Sequence, residues 1–291
     1  MGELELRSFD SAAAFLEVAE EHLAAREAVN SLPLGLALRA REGSHGPDGG
    51  TRFLTVTRDG GLDGVLIQTP GRVVIFGEMS PEGARFAARE APGHVDVQRG
   101  CTGPVEVVDV VAEVWGELDL GRPRAHMGLR LFELSELVPP RLSSGRMRLA
   151  GPDDRELCRR WIHDFLVECR MPEATPGRYP ERVHQLEERR LYLWEDEGRP
   201  VACAAWARPL RRGVTIGFVF TPPEARGRGY ASNVVAGLTA GLLDGSLFQP
   251  ARDYVTLFTD LANPTSNAIY QRLGYQPLAD FRTYVLEAVD S

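Results

Sequence analysis

Lysine is absent from the 291-residue chain, and all 33 of its basic residues are arginine. That excludes a Schiff base on lysine, a lysine-held pyridoxal phosphate and the phosphate-reading lysine of a P-loop. Cysteine is scarce. Cys101, Cys158, Cys169 and Cys203 form no Cys-x-x-Cys pair and have no zinc-type spacing, so reduced, mostly buried thiols and no metal site are expected. Long uncharged apolar runs are missing too. Val105–Val114 is interrupted by Glu106, Asp109 and Glu113, so nothing approaches the roughly 18–20 uncharged residues of a membrane span. The start, Met1-Gly2-Glu3-Leu4-Glu5, is acidic where a signal peptide is basic and then apolar, which predicts a cytoplasmic protein. A net charge of −8 disfavours nucleic acid or an anionic membrane as partner and is compatible with cationic small molecules.

What is present is the composition of an ordinary globular chain, 43% hydrophobic and 25% charged, so disorder is not expected. At about 150 residues per domain the length predicts two domains, each able to bury a core without metal or disulfide staples. The first half predicts a strand over Leu4–Phe9 and a helix started by Asp10-Ser11, with Phe15, Val18, Ala19, His22 and Leu23 at helical spacing. A Gly/Pro-rich stretch, residues 43–50, precedes three strands, Arg52–Thr57, Gly64–Thr69 and Arg72–Met79. Then come a helix from Ser80-Pro81-Glu82 to about Glu90, a strand His94–Gln98, a helix Pro104–Leu118 and a strand Arg124–Leu134. The predicted order is β-α-β-β-β-α-β-α-β.

Residues 139–145, rich in Pro, Ser and Gly, form the predicted linker between domains 1–138 and 146–291. Beyond it, a strand at Met147–Ala150 leads into a helix carrying Leu157, Trp161 and Phe165, and a second helix is expected over Pro180–Arg190. Strands Leu191–Glu195, Val201–Arg208 and Val214–Thr221 follow, then a helix to about Leu243, strand Asp253–Thr259, helix Pro264–Leu273 and strand Gln276–Leu286. This order, β-α-α-β-β-β-α-β-α-β, nearly repeats that of the first half and suggests two copies of one mixed α/β unit.

Chemistry concentrates at Arg226-Gly227-Arg228-Gly229-Tyr230-Ala231, where a strand feeds a glycine turn and then a helix. Backbone N–H groups at such a turn, with those of the first helical turn, form a positively polarised cup suited to a pyrophosphate. Gly227 and Gly229 permit unusual dihedrals and close approach, and Arg226 and Arg228 add charge. Neither common dinucleotide motif fits: Ser232 stands where a Rossmann loop has its third glycine, and no Gly-Lys-Ser/Thr exists. In the first half the equivalent Ser80–Arg85 lacks the glycine pair, and Glu82 would repel pyrophosphate.

Residues Arg226–Ala231 resemble the Arg/Gln-x-x-Gly-x-Gly/Ala signature of the GNAT superfamily of acetyl-CoA-dependent N-acetyltransferases. A second block, Asn263 followed by Tyr270 and then Gly274-Tyr275, is similar to that family's second CoA-proximal segment. The resemblance spans roughly Arg146–Glu287 and implies an α/β mixed-sheet, tandem GNAT fold with a degenerate first half that does not bind CoA. It implies acetyl-CoA as co-substrate and no metal. The pantetheine arm would pair with Val219, Phe220 and Thr221, and the pyrophosphate would lie on Arg226, Gly227, Arg228, Gly229, Tyr230 and Ala231. Asn263 would lie near the CoA arm, and Tyr270 would be the acid that protonates the leaving thiolate, its alternative being a core aromatic beside Ile269 and Leu273. The family's general base varies. Glu168 is the candidate here, eleven residues beyond Leu157 on one helix face, against a solvated helix end as the alternative. Glu224 reads as a loop residue, and His163 and His184 as surface histidines. The implied function is acetyl transfer to a primary amine of a small molecule or peptide, by a monomer or homodimer; the competing reading is a non-catalytic acyl-CoA-binding sensor or interaction module.

Overall fold

The structure, a computed structural model, describes residues 2–43, 50–170 and 188–288. The helix expected over 180–190 and His184 fall largely or wholly outside them. Twelve strands and seven α-helices occur among the described residues, a mixed α/β fold. None of the helices is long and apolar enough to cross a membrane. Two compact units are formed: 1–131 with 259–263 and 277–291, and 132–258 with 264–276. The units are interleaved along the chain, because the last strand of the sequence joins the first unit.

The first unit contains β1 (Leu4–Phe9), α1 (Ala12–Ala25), α2 (Ser31–Arg41), β2 (Arg52–Arg58), β3 (Gly61–Gln68) and β4 (Val74–Phe76). α3 (Pro81–Glu90), β5 (Cys101–Pro104) and α4 (Val105–Glu117) follow, and β6 (Arg122–Leu134) runs past the division at 131. Strands β1 to β4 are antiparallel neighbours, and β4 pairs with β5 in parallel. On its other edge β5 pairs antiparallel with β12 (Gln276–Glu287), Thr283 opposite Thr102. The core gathers around Trp115, fully buried, with its ring 6.1 Å from Phe76 and its indole N–H donating to the Ala88 carbonyl at 3.0 Å. Ala84, Ala87 and Ala88 line the buried face of α3, and side chains this small let the helix approach the sheet closely.

Two sequence expectations for this unit are corrected. The first is α2, which the sequence reading passed over. Pro33 lies in the first turn of that helix, where its missing N–H would have had no intrahelical partner anyway, so the ring is tolerated. With α2 included, the observed order of the first half, β-α-α-β-β-β-α-β-α-β, becomes identical to the one read for the second. The second is the strand expected over His94–Gln98. Residues 91–93 and 97–99 are instead 3-10 turns, and the strand that continues the sheet is Cys101–Pro104. Asp96 accepts from the Gln98 N–H and so caps the second of those turns, a local bond that competes with strand pairing.

The second unit contains β7 (Arg146–Leu149), α5 (Arg155–Glu168), β8 (Leu191–Asp196), β9 (Arg199–Ala207), β10 (Gly213–Phe220), α6 (Tyr230–Leu243), β11 (Tyr254–Asp260) and α7 (Pro264–Arg272). Its strands repeat the ladder of the first unit: β7 to β10 antiparallel, then β10 parallel to β11. Helices cover both faces. Val234, Val235, Leu238 and Leu242 of α6 pack with Tyr192, Trp194, Trp206, Val214 and Ile216. Trp161, Ile162 and Leu166 of α5 pack with Leu193, Cys203, Phe218 and Phe220 on the other. None of the four cysteines forms a disulfide, and Cys101, Cys158 and Cys203 are buried.

Candidate functional site

The distribution of β10 between those two clusters contains an anomaly. Side chains two apart on a strand share a face, so Phe218 and Phe220 ought to follow Val214 and Ile216 towards α6. They face α5 instead. The reversal takes place at a bulge: three residue steps on β10, Gly217 to Phe220, oppose two on β9, Ala205 to Cys203. Phe218 absorbs the extra residue with φ +51°, in the left-handed region that a bulky side chain rarely adopts. Its ring is held there, 5.3 Å from Phe165 in a T-shaped contact, while the Phe220 ring lies 6.0 Å from Trp161.

On the opposite edge, pairing with β11 runs from Gly213↔Tyr254 to Ile216↔Leu257 and stops. Gly217–Phe220 therefore has no ladder partner on that side among the described residues. An unpaired strand edge offers main-chain N–H and C=O groups to an extended ligand, and this is the stretch that contains Val219 and Phe220. Phe220 is core, so main-chain groups are what it can offer. Thr221, just beyond the strand, has its carbonyl taken by Arg226 Nε at 2.9 Å, and its hydroxyl is buried with no hydrogen bond among the described residues.

The strand end leads through a 3-10 turn, Pro223–Ala225, into the glycine pair. Glu224 is exposed on that turn. Gly227 has φ +77° with nothing within 4 Å of where a Cβ would stand, and Gly229, the residue before α6, has φ +81°. No side chain caps α6, so its first N–H groups face outward unclaimed by a capping oxygen. Tyr230 is buried, its hydroxyl donating to Asp196 at 2.5 Å. Asp196 also accepts from Ser144, and these two bonds, with a smaller push from the Arg228 charge, hold its carboxyl below the usual carboxylate range. Ala231 is half-buried.

The Arg226 side chain is already engaged. Besides binding the Thr221 carbonyl, its guanidinium donates to both carboxylate oxygens of Glu168, the last residue of α5, at 2.6 and 2.8 Å. The candidate base and the first residue of the loop are thus brought together. Glu168 is exposed; the buried face of α5 is Cys158, Trp161, Ile162 and Leu166. One residue further on, Cys169 acts electrostatically on Tyr270, which sets the end of α5 near that phenol. Tyr270 of α7 is buried, 6.0 Å from the Tyr275 ring and 6.4 Å from Phe132. Burial, and secondarily Cys169, raises its pKa well above the usual tyrosine range, so the phenol stays protonated at neutral pH. Asn263, exposed, precedes α7 and donates its backbone N–H to Asp260 O at 3.0 Å. His163 is half-exposed beside Asp164.

Four contributors were missed by the sequence reading: the Phe218 bulge, Asp196, Asn233 and Cys169. Asn233 carried a signal, an amide amid Val234, Val235 and Ala236 on an apolar helix. Asp196 carried none, since Asp196-Glu197-Gly198 spells no more than a turn between two strands.

The first unit shows what becomes of the same corner without the glycine pair. Ser80 caps α3, accepting from the Gly83 N–H at 3.0 Å. Asp63 accepts from both the backbone N–H and the hydroxyl of Ser80, and a Cβ on Gly83 would meet the Asp63 carboxylate at 2.1 Å. The chain's own carboxylate occupies the place an anionic ligand would take.

The doubled ladder, the bulged and splayed strand and the uncapped glycine start of its helix define a fold class, and comparison with solved structures agrees. The chain superposes on a Drosophila protein with a TM-score of 0.66 at 15% identity, covering 97% of this chain and 98% of that one. An acetyltransferase of the GNAT family from Colwellia psychrerythraea matches with a TM-score of 0.58 at 12% identity over 97% and 99%. A tandem GNAT protein from the clavulanic acid biosynthesis pathway matches at 0.57 and 14% over 99% and 100%. The chain has the fold of tandem GNAT proteins. Within it, residues 196–285 match the family model described as FR47-like protein. No curated protein sequence matches the chain.

Proposed function

We propose that the protein is an acetyl-CoA-dependent N-acetyltransferase that passes the acetyl group directly to a primary amine of a small molecule or peptide, using the second unit. The observation that carries this reading is the continuity between the open edge of Gly217–Phe220 and the uncapped start of α6. Together they offer strand pairing for an amide-bearing arm and a cup of N–H donors for a diphosphate. The open space at Gly227, which a Cβ would fill, fits the close approach of phosphate oxygens.

With the thioester laid along β10, Phe218 and Val219, which the bulge leaves without register partners on β9, are assigned to supply main-chain N–H donors for a developing oxyanion. Tyr270, kept protonated by its burial, is the acid for the departing thiolate. Glu168 is the base. Arg226 occupies one acceptor position on each of its oxygens, and a carboxylate oxygen has a second, so an ammonium proton still finds an acceptor on the exposed side. Asn263, at the entrance to α7, is assigned to the CoA arm.

The test is release of free thiol from acetyl-CoA with and without a panel of amines. Amine-dependent release supports the enzyme. Binding of acetyl-CoA with no amine-dependent thiol release would replace it by a non-catalytic acyl-CoA-binding module.

A further inference from the structure

The segment read as a linker is fastened onto the glycine loop. Asn233, 3% exposed, donates its side-chain N–H groups to two carbonyls, Gly229 at 3.0 Å and Arg141 at 3.2 Å. Three residues further along, the Ser144 carbonyl accepts from the Trp194 indole at 2.8 Å, and the Ser144 hydroxyl donates at 2.9 Å to the Asp196 oxygen that also receives Tyr230. The residues flanking Ser143 are thereby fixed, and its Cβ lies 4.0 Å from where a Cβ on Gly229 would stand. The Ser143 hydroxyl is buried and makes no hydrogen bond among the described residues.

A buried hydroxyl without a partner is unfavourable, and its O–H needs an acceptor. The nearby start of α6 presents N–H groups, which are donors and cannot serve. An anionic oxygen seated on those N–H groups would accept from them and from Ser143 together.

We propose that Ser143 is a further ligand of the CoA diphosphate, supplied by the linker and not by the glycine loop, with Asn233 and Asp196 as the positioning residues that hold the linker there. This rests on the acetyl-CoA reading given above. The second unit then grips the diphosphate from two stretches of chain about 85 residues apart in sequence, counted from Ser143 to Gly229.

The experiment compares the full-length wild type with Ser143→Ala and Ser143→Thr, measuring dissociation constants for acetyl-CoA and for S-acetylpantetheine, which lacks the diphosphate. One hydrogen bond to a charged oxygen predicts about a 10-fold loss of acetyl-CoA affinity in the Ala variant. S-acetylpantetheine should bind both proteins alike, and Thr should restore most of the loss. Thermal unfolding of Ser143→Ala without ligand should be no lower than wild type, because an unpartnered hydroxyl has been removed. Unchanged acetyl-CoA affinity, or an equal loss for both esters, would overturn the assignment. Failure of the wild type to bind acetyl-CoA would instead bring down the proposed function itself, and this assignment with it.

Discussion

Glu168 and Arg226 form a two-pronged ion pair, 2.6 and 2.8 Å, that ties the end of α5 to the first residue of the glycine loop. Both side chains are close to half exposed, 45% and 48%, so water screens the pair and it contributes about 1 kcal/mol or less to folding. Glu168→Gln should therefore unfold at nearly the wild-type temperature. If Glu168 takes the ammonium proton, the same variant should lose at least about 100-fold in turnover with little change in acetyl-CoA affinity. Turnover within a few-fold of wild type would remove Glu168 from the chemistry and leave it as a tie.

Tyr270→Phe deletes only a hydroxyl from a buried ring. Turnover should fall by about 100-fold or more while the dissociation constant for acetyl-CoA moves less than about three-fold. Steady-state kinetics beside calorimetry make the comparison, and a variant as fast as wild type would show that Tyr270 is a core aromatic and no acid.

The same burial predicts alkaline sensitivity. Tyr270 and Tyr275 are both buried, and burial is the main cause raising each above the tyrosine value near 10. A tyrosine raised in the folded protein favours folding fully below its unfolded value, and that contribution is lost as pH rises from about 10 towards the folded value. Stability should decline above about pH 10, and Tyr275→Phe, which also gives up a 2.7 Å bond with Thr239, should decline less steeply from a lower starting point. Urea titrations at pH 8 to 11 would measure both slopes, and parallel slopes would refute the linkage.

Gly227→Ala separates strain from binding. With φ +77° and nothing within 4 Å of the added carbon, the cost to folding is backbone strain alone, about 1 kcal/mol. The methyl nevertheless occupies the cup, so acetyl-CoA affinity should drop at least about 10-fold. Affinity equal to wild type would show that the diphosphate lies elsewhere.

Calorimetry of the wild type should return one acetyl-CoA per chain. Asp63 and the Ser80 cap occupy the start of α3 in the first unit. A stoichiometry of two would mean that this carboxylate yields to the ligand.

Sequence periodicity disclosed most strands and helices, and the residues from Arg226 to Ala231 and from Asn263 to Tyr270 pointed to the candidate site. Strand β10 marks where legibility ended. Val214, Ile216, Phe218 and Phe220 stand two apart as letters, yet Phe218 reverses the side they face, because tertiary contact with Phe165 sustains a backbone angle that local preference disfavours. The pairing of Glu168 with Arg226 was invisible for a different reason. It joins positions 58 apart in sequence that only the fold brings together, and helical periodicity had set Glu168 on the apolar face. Residues 139–145 read as a spacer through their Pro, Ser and Gly, and composition could not disclose the bonds that Arg141 and Ser144 make to Asn233, Trp194 and Asp196, which depend on residues far away in the chain.

The partnership of Thr102 with Thr283 has a bearing on biosynthesis. Strand Cys101–Pro104 leaves the ribosome long before Phe281–Tyr284, the residues that hydrogen-bond along its free edge. During translation that edge must wait exposed, and a chain severed at residues 139–145 would leave it so permanently. Separately expressed halves should aggregate or require co-expression, however domain-like each looks on paper.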